Sequence, residues 1–166
     1  MNAGAYGGEM KDVLETVTVL TRDGDVKTLT KDELELGYRT SVIAKKDYIV
    51  LSAVIRLENG KKEEIKAVMD DLKEKRITKQ PLEYPSAGST FKRPEGYFAG
   101  KLVMDAGFSG YAVGGAKVSE KHCGFLINAG GATASDVMEL IRQIQAKVKE
   151  QFGVQLEPEI QFLGEF

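Results

Sequence analysis

The segment from Thr133 to Gly153 constrains the fold of this 166-residue chain more than any other part. Its apolar residues recur at i, i+3, i+4 and i+7, the spacing that forms one face of an α-helix. These residues are Val137, Leu140, Ile141, Ile144 and Val148. Thr133 and Asp136 have the spacing of an N-terminal cap, and Gly153 is a typical helix stop. The sequence therefore predicts a long amphipathic helix whose apolar face packs on a second layer.

Composition is that of an ordinary globular protein and excludes several classes of function. Hydrophobic residues make up 42% and charged residues 29%, and 23 basic and 25 acidic residues leave a formal net charge of −2. The charges form no long block of one sign, so a general nucleic-acid binder is not indicated. The longest apolar run, Tyr48 to Ile55, is far shorter than the roughly 20 residues that a membrane span needs. We therefore expect no nucleic acid and no membrane as partners.

The cysteine and histidine content bounds the redox environment and the metal chemistry. Cys123 is the only cysteine and His122 the only histidine. A single cysteine excludes an intrachain disulfide, and one cysteine with one histidine supplies too few ligands for a typical zinc site. Residues Met1 to Gly8 lack the charged and apolar regions of a secretory signal. We expect a cytoplasmic protein with no metal site.

The first part of the chain predicts a hairpin followed by a short helix. Val13–Leu20 and Val26–Leu29 are rich in β-branched residues, and Asp23-Gly24 between them supplies turn chemistry. The segment Thr30–Glu33 has the pattern of a capping box. It predicts a short helix that ends at Gly37.

Three segments follow, with distinct patterns. Residues 37–41 are typical of a turn, and Tyr48–Leu57 is an apolar, β-branched run that predicts a buried strand. Lys62–Arg76 predicts an amphipathic helix. Its apolar positions are Ile65, Val68, Met69 and Leu72.

The second half of the chain alternates loops, helices and strands. Gln80–Pro94 holds three of the four prolines and predicts a rigid loop. Tyr97–Asp105 predicts a helix, and Gly124–Asn128 predicts a short strand. Val154–Phe162 predicts a last strand that Pro158 restricts to an edge or a bulge. Because strands and helices alternate without strict βαβ repetition, the fold class is α+β.

Each candidate functional residue has a structural interpretation beside a functional one. Ser89, in a loop bounded by prolines, is either held for catalysis or caps a turn. Arg39 is either a catalytic residue or a member of a surface ion pair, and Glu159 is either a functional residue or a solvated edge carboxylate. The glycine-rich start, Asn2–Gly8, either lets the backbone approach a phosphate or flat ring or is a simple turn.

A cysteine nucleophile is disfavoured. Although His122 and Cys123 are adjacent, neighbouring side chains in a strand point to opposite faces.

Six strings stand in a characteristic order and spacing along the chain. They are Asn-Ala-Gly-Ala-Tyr-Gly from Asn2, Gly-Tyr-Arg-Thr-Ser from Gly37, Gln-Pro-Leu-Glu-Tyr-Pro-Ser-Ala-Gly-Ser-Thr-Phe from Gln80, Val-Gly-Gly-Ala from Val113, Val-Ser-Glu-Lys-His from Val118 and Leu-Glu-Pro-Glu-Ile from Leu156. Together they resemble the UDP-N-acetylmuramate dehydrogenase family, also called UDP-N-acetylenolpyruvoylglucosamine reductase, in the shorter form seen in Gram-positive bacteria. The resemblance covers essentially the whole chain, and the string that contains Ser89 is the most specific.

This resemblance implies a flavin enzyme of peptidoglycan precursor synthesis. The family uses FAD, with NADPH as the reductant, to reduce UDP-N-acetylenolpyruvoylglucosamine. It implies that residues 1–57 are the tail of an antiparallel-sheet FAD-binding domain and residues 58–166 a small α/β domain that binds the UDP-sugar. Because the family's phosphate-binding loops precede the first string, we expect this chain not to retain FAD and not to turn over alone.

The resemblance also assigns roles to individual residues. It implies that Arg39 binds the substrate carboxylate, that Ser89 donates the proton and that Glu159 lies near the same carboxylate. It implies further contacts beside the flavin, from Asn2, Gly4, Ala5 and Tyr6, and contacts to the nucleotide sugar, from Tyr84, Arg93 and His122. One departure is Ser109, where the family commonly has lysine or glutamine.

Two other hypotheses stay open beside the enzyme. In the first hypothesis, the chain is a UDP-sugar-binding module without redox chemistry. In the second, it is an inert fragment that self-associates through exposed sheet edges.

Overall fold

The computed structural model describes residues 1–164, which form two compact units, Met1–Leu72 and Lys73 onward. In chain order the first unit contains β1 (Gly4–Ala5), β2 (Gly8–Glu9), α1 (Met10–Val13), β3 (Leu14–Leu20), β4 (Val26–Thr30), α2 (Val42–Lys45) and β5 (Ile49–Ile55). Next come α3 (Lys62–Lys79), α4 (Ala99–Asp105), β6 (Ala112–Val113), β7 (Ala116–Val118), β8 (Leu126–Asn128) and α5 (Ala134–Phe152). Helices and antiparallel sheets are mixed, which confirms the predicted α+β class.

A three-stranded antiparallel sheet in the order β4-β3-β5 organises the first unit. The predicted hairpin of β3 and β4 is confirmed. Gly24 in its turn has a φ of +88°, a left-handed value that glycine adopts without steric cost. The core of this unit joins buried residues of β3 to residues that follow the hairpin, namely Leu14, Val17, Val19, Leu34 and Val42.

The prediction of a short helix after Thr30 is wrong. The reciprocal contacts of a capping box do form, since Glu33 Oε2 accepts the Thr30 N–H at 2.8 Å and Thr30 Oγ1 accepts the Glu33 N–H at 3.5 Å. The chain continues as turns, because Glu35 has a left-handed φ of +45°. Leu34 then accepts the Val42 N–H at 2.8 Å.

Strand β5 forms where it was predicted, but the prediction that it is buried is wrong. It lies at the edge of the sheet with β3 on one side only, and all of its residues are exposed. Leu51 and Val54, for example, keep 53% and 52% of their surface exposed. An apolar run indicates the strand, whereas burial depends on what packs on its two faces.

Helix α3 confirms the predicted helix over residues 62–76, but its apolar positions are not packed into a core. No residue of α3 is buried, and Met69 is 61% exposed.

The second unit contains a small antiparallel sheet, in the order β6-β7-β8, and the long helix α5. The cap predicted for α5 is confirmed, since Thr133 Oγ1 accepts the Asp136 N–H at 3.1 Å and Asp136 accepts the Thr133 N–H at 2.9 Å. Gly153 ends the helix with a φ of +69°. The apolar face of α5 packs in a core with residues of α4, β7 and the carboxy-terminal segment, including Val103, Val118, Leu140, Ile144, Val148 and Leu156.

The last predicted strand, residues 154–162, is wrong as a strand. Only Pro158 forms a β-bridge, with Phe91. The hydrogen bonds on either side of this bridge come from the N–H groups of Lys92 and Glu159, and no longer ladder forms within residues 154–162. Helix α4 and strand β8 lie within their predicted segments, as does the irregular loop of residues 80–94.

None of the helices in residues 1–164 combines the length and the apolar character needed to cross a membrane.

Candidate functional site

In the first unit, Arg39 and three of the four residues predicted beside the flavin line one cavity of about 460 Å³. The lining consists of Asn2, Gly4, Ala5, Gly7, Gly8, Glu9, Lys11, Asp12, Tyr38 and Arg39. The fourth residue, Tyr6, lies in the turn between β1 and β2 with a φ of +51° and is 49% exposed.

Asn2 joins the amino-terminal loop to the turn that carries Arg39. Its side chain is buried, donates to Glu9 Oε2 at 2.8 Å and accepts the Lys11 N–H at 2.9 Å. Its backbone forms a parallel bridge with Tyr38. A buried amide with both ends bonded is rigid, so Asn2 fixes one wall of the cavity.

Arg39 has an uncommon backbone conformation. It lies in a tight turn closed by hydrogen bonds between Gly37 and Thr40, and its φ is +56°. A non-glycine residue with this φ is strained, and such residues concentrate at functional sites. Its guanidinium carbon lies 5.8 Å from the centre of the Tyr38 ring. The turn therefore presents a cation at the cavity wall.

Glu9 and Lys11 are cavity residues that the sequence reasoning missed. Their side chains form an ion pair at 2.7 Å. The hydrogen bond from Lys11, together with that from Asn2, lowers the pKa of Glu9, and the same bond to Glu9 raises the pKa of Lys11. The only sequence signal was two charges that follow the glycine-rich string.

In the second unit, the loop that carries Ser89 lies along the outer edge of β8. Pro85 O accepts the Asn128 N–H at 2.9 Å, and the Thr90 N–H donates to Gly124 O at 2.8 Å. Ser89 itself forms a β-bridge with Phe125 and remains exposed.

Glu159 lies on the segment next to the serine loop. Its N–H donates to Thr90 O at 2.8 Å, and the Lys92 N–H donates to Glu157 O at 2.8 Å. The structure thus brings two of the three predicted catalytic residues, Ser89 and Glu159, onto adjacent segments. Arg39 belongs to the first unit.

The family model described as "UDP-N-acetylenolpyruvoylglucosamine reductase, C-terminal domain" matches residues 80–163, which include both Ser89 and Glu159. This chain belongs to that family.

Curated relatives with this reductase name match over the whole chain. The reductase from Agathobacter rectalis is 65% identical over 166 residues, which are 100% of this chain and 53% of the relative. The reductase from Lachnoclostridium phytofermentans is 60% identical and covers 99% of this chain and 53% of the relative. The chain therefore spans about half the length of the curated relatives it matches.

A solved structure is similar in fold. The crystal structure of UDP-N-acetylenolpyruvylglucosamine reductase from Thermus caldophilus aligns with a TM-score of 0.82 and 38% identity. The alignment covers 97% of this chain and 57% of that one.

The three residues predicted to contact the nucleotide sugar of this reductase family lie in different local settings. Arg93 lies over the ring of Phe98, 4.0 Å from its centre, and its Nε donates to Tyr97 O at 3.3 Å. Tyr84 is 45% exposed. His122 Nδ1 accepts the Gly124 N–H at 3.1 Å, so this ring also stabilises the turn before β8. Their substrate contacts stay predictions.

The Val-Gly-Gly-Ala string of the reductase family has a packing reason that sequence reasoning missed. Gly115 lies against the backbone of Gly130 and Ala132, so a Cβ at this position would collide. Asp136 accepts the Gly115 N–H at 3.4 Å as well as its bonds at the helix cap. The pKa of Asp136 is lowered, chiefly by hydrogen bonds from Thr133 and also by that of Gly115. Asp136 therefore joins the turn between β6 and β7 to the start of α5.

Beside the serine loop the second unit also has a mostly apolar cavity of about 390 Å³. Pro85, Ser86, Ala87, Thr90, Leu126, Ile127, Asn128, Val137 and Ile160 line it.

Proposed function

We propose that this chain is the carboxy-terminal portion of an FAD- and NADPH-dependent enzyme of peptidoglycan precursor synthesis. The reaction is reduction of UDP-N-acetylenolpyruvoylglucosamine to UDP-N-acetylmuramate in the cytoplasm. The observation that carries this proposal is the juxtaposition of Ser89 and Glu159 through Thr90 O, within the residues that match the family model. Residues 1–57 then belong to the FAD-binding domain and residues 58–166 to the substrate domain.

The cavity of the first unit fits one part of FAD. Gly4 and Ala5 offer backbone without bulky side chains, which suits close approach of a flat ring, and Asn2 is rigidly held beside them. When bound, FAD would supply the hydride, with NADPH as the source of the electrons. About half the length of the relatives lies outside this chain, so we infer that the chain alone does not retain the cofactor and does not turn over.

The proposed roles of the side chains follow from the charge that develops on the substrate. Hydride addition to the terminal alkene carbon moves the π electrons onto the carbon beside the carboxylate. Arg39 would bind that carboxylate with its planar, two-pronged cation and stabilise the enolate-like charge. Ser89 would give its hydroxyl proton to the charged carbon, which completes the new C–H bond, and would regain a proton from solvent. Glu159 would hydrogen-bond to the same carboxylate in its protonated form.

The second candidate function is binding of a UDP-sugar without redox chemistry. It is favoured by the second unit, which contains Ser89, Glu159, Tyr84, Arg93 and His122 and has its own hydrophobic core. The exposed edge strand β5 favours the third possibility, self-association.

The deciding experiment is an absorbance spectrum of the purified chain after incubation with FAD and desalting. A colourless protein is expected. If such a protein melts at a higher temperature with UDP-N-acetylglucosamine, it retains the substrate half of the function. A retained flavin band would contradict the inference that the chain cannot hold FAD. No thermal response to the nucleotide sugar would count against a substrate domain.

A further inference from the structure

We propose that the hydroxyls of Ser86 and Thr90, called here the hydroxyl pair, position Ser89 by binding both backbone groups of Leu126. The proposal rests on the function proposed for Ser89. Ser86 Oγ donates to Leu126 O at 2.7 Å, and the Leu126 N–H donates to Thr90 Oγ1 at 3.1 Å. Ser89 lies between the two residues in sequence, so both ends of its loop are fixed to the same strand residue.

The outer edge of β8 explains why hydroxyls are needed. Buried backbone groups at the edge of a strand require partners, and backbone supplies them at both ends of the loop, at Pro85 O and at the Thr90 N–H. Between these points the chain makes a turn at Gly88, whose φ is +90°. Hydroxyl side chains bond to the backbone where the loop bends, and Ser86 Oγ additionally accepts the Gly88 N–H at 3.2 Å.

Thr90 also links the loop to Glu159. It is only 2% exposed, and its carbonyl accepts the Glu159 N–H at 2.8 Å. The same residue therefore bonds to β8 with its side chain and to the Glu159 segment with its backbone. Rotation or displacement of Thr90 would change the position of Ser89 and Glu159 together, so we assign it a positioning role.

Amide hydrogen exchange in the 166-residue chain tests the contacts directly. Thr90→Val keeps the shape and removes the acceptor, so exchange at the Leu126 amide should accelerate about five- to tenfold, the effect of losing one hydrogen bond of average strength. Thr90→Ser keeps the hydroxyl and should restore slow exchange. The Ile144 amide of the core should not change, and Thr78→Val on the exposed helix α3 is the matched control.

Ser86→Ala provides a second variant in case Thr90→Val does not fold, because Ser86 is exposed. Exchange at the Gly88 amide should accelerate in this variant. The proposed contacts of the hydroxyl pair would be overturned by unchanged amide exchange at Gly88 in folded Ser86→Ala. Unchanged exchange at Leu126 in folded Thr90→Val would overturn them as well.

Titration with UDP-N-acetylglucosamine separates positioning from folding. In the parent chain the ligand should shift the amide resonances of Ser89 and Glu159. Thr90→Val should bind with nearly unchanged affinity but lose at least half of those shifts, and Thr90→Ser should regain them. Full shifts in Thr90→Val would overturn the positioning role. A parent chain that shows no response contradicts the proposed function, while the exchange rates still decide whether the hydroxyl contacts exist.

Discussion

Glu159 donates its backbone N–H to the carbonyl oxygen of Thr90 at 2.8 Å, so the residue that follows Ser89 is bonded directly to Glu159. The segment of residues 89–92 thereby lies between β8 and the segment of residues 157–159. Two candidate catalytic residues from distant parts of the chain share one rigid support. Preorganisation of this kind is what proton transfer to a short-lived intermediate requires.

Ser89→Ala should separate the two half-reactions of the proposed enzyme. The test uses a joined protein, in which this chain is fused to the remaining half of the Agathobacter rectalis relative. Oxidation of the reduced flavin by the enolpyruvyl substrate should slow by about a hundredfold or more, because the proton donor is lost. Reduction of the flavin by NADPH should be unchanged in stopped-flow absorbance, and Ser135→Ala on the surface of α5 is the control. Equal losses in both half-reactions would argue against proton donation.

Arg39→Lys should also damage turnover of the joined protein although the charge is kept. A lysine ammonium cannot form the paired hydrogen bonds of a guanidinium with a carboxylate. We expect kcat to decrease on the order of a hundredfold, the usual effect of removing one donor that stabilises developing negative charge. Arg22→Lys, at an exposed ion pair with Asp47, is the control. Near-normal kcat in Arg39→Lys would contradict bidentate binding.

Substitution of a core residue in α5 should destabilise the protein far more than substitution of an exposed apolar residue in α3. Ile144 is fully buried in α5, whereas Val68 is 57% exposed in α3. Ile144→Ala should lower the free energy of unfolding by about 2–5 kcal/mol, the cost of the lost burial and the cavity. Val68→Ala should change it by less than about 0.5 kcal/mol. Urea denaturation followed by circular dichroism measures both, and similar values for the two would contradict the assigned core.

Asp136 should make stability depend on pH. Hydrogen bonds from Thr133, and then from Gly115, lower the pKa of its carboxyl in the folded chain. A depressed pKa means that the stabilisation is present above the unfolded pKa and is lost as the pH decreases through the folded value, below about pH 4. Asp136→Asn should therefore be less stable than the parent at pH 7, with a smaller difference at pH 3. Urea denaturation at the two pH values measures this difference in the free energy of unfolding. A difference that is larger at pH 3 than at pH 7 would contradict a lowered pKa of Asp136.

The exposed strand β5 should drive association of the isolated chain. Leu51→Lys places a charge on this edge strand and should shift any concentration-dependent oligomer toward monomer in analytical ultracentrifugation. Val26→Lys, on the opposite edge strand β4, is the matched control. Equal effects of both substitutions, or a parent chain that is monomeric at all concentrations, would contradict association through β5.

The sequence by itself determined the elements whose signals are local. The turn residues Asp23 and Gly24 predicted the hairpin, and the cap at Thr133 with the stop at Gly153 predicted α5, because turn and helix ends depend on neighbours a few residues away. The residue strings also predicted the family that the match to residues 80–163 bears out.

Only the tertiary structure decided what depends on contacts between distant residues. Glu35 has a left-handed backbone, so turns form where a helix was predicted. Strand β5 is exposed although its residues are mostly apolar. Likewise, the bond between Glu159 and Thr90 and the hydroxyl contacts to Leu126 join segments far apart in sequence. Periodicity reports which residues favour a strand or helix, but pairing and burial depend on which surfaces the folded chain brings together.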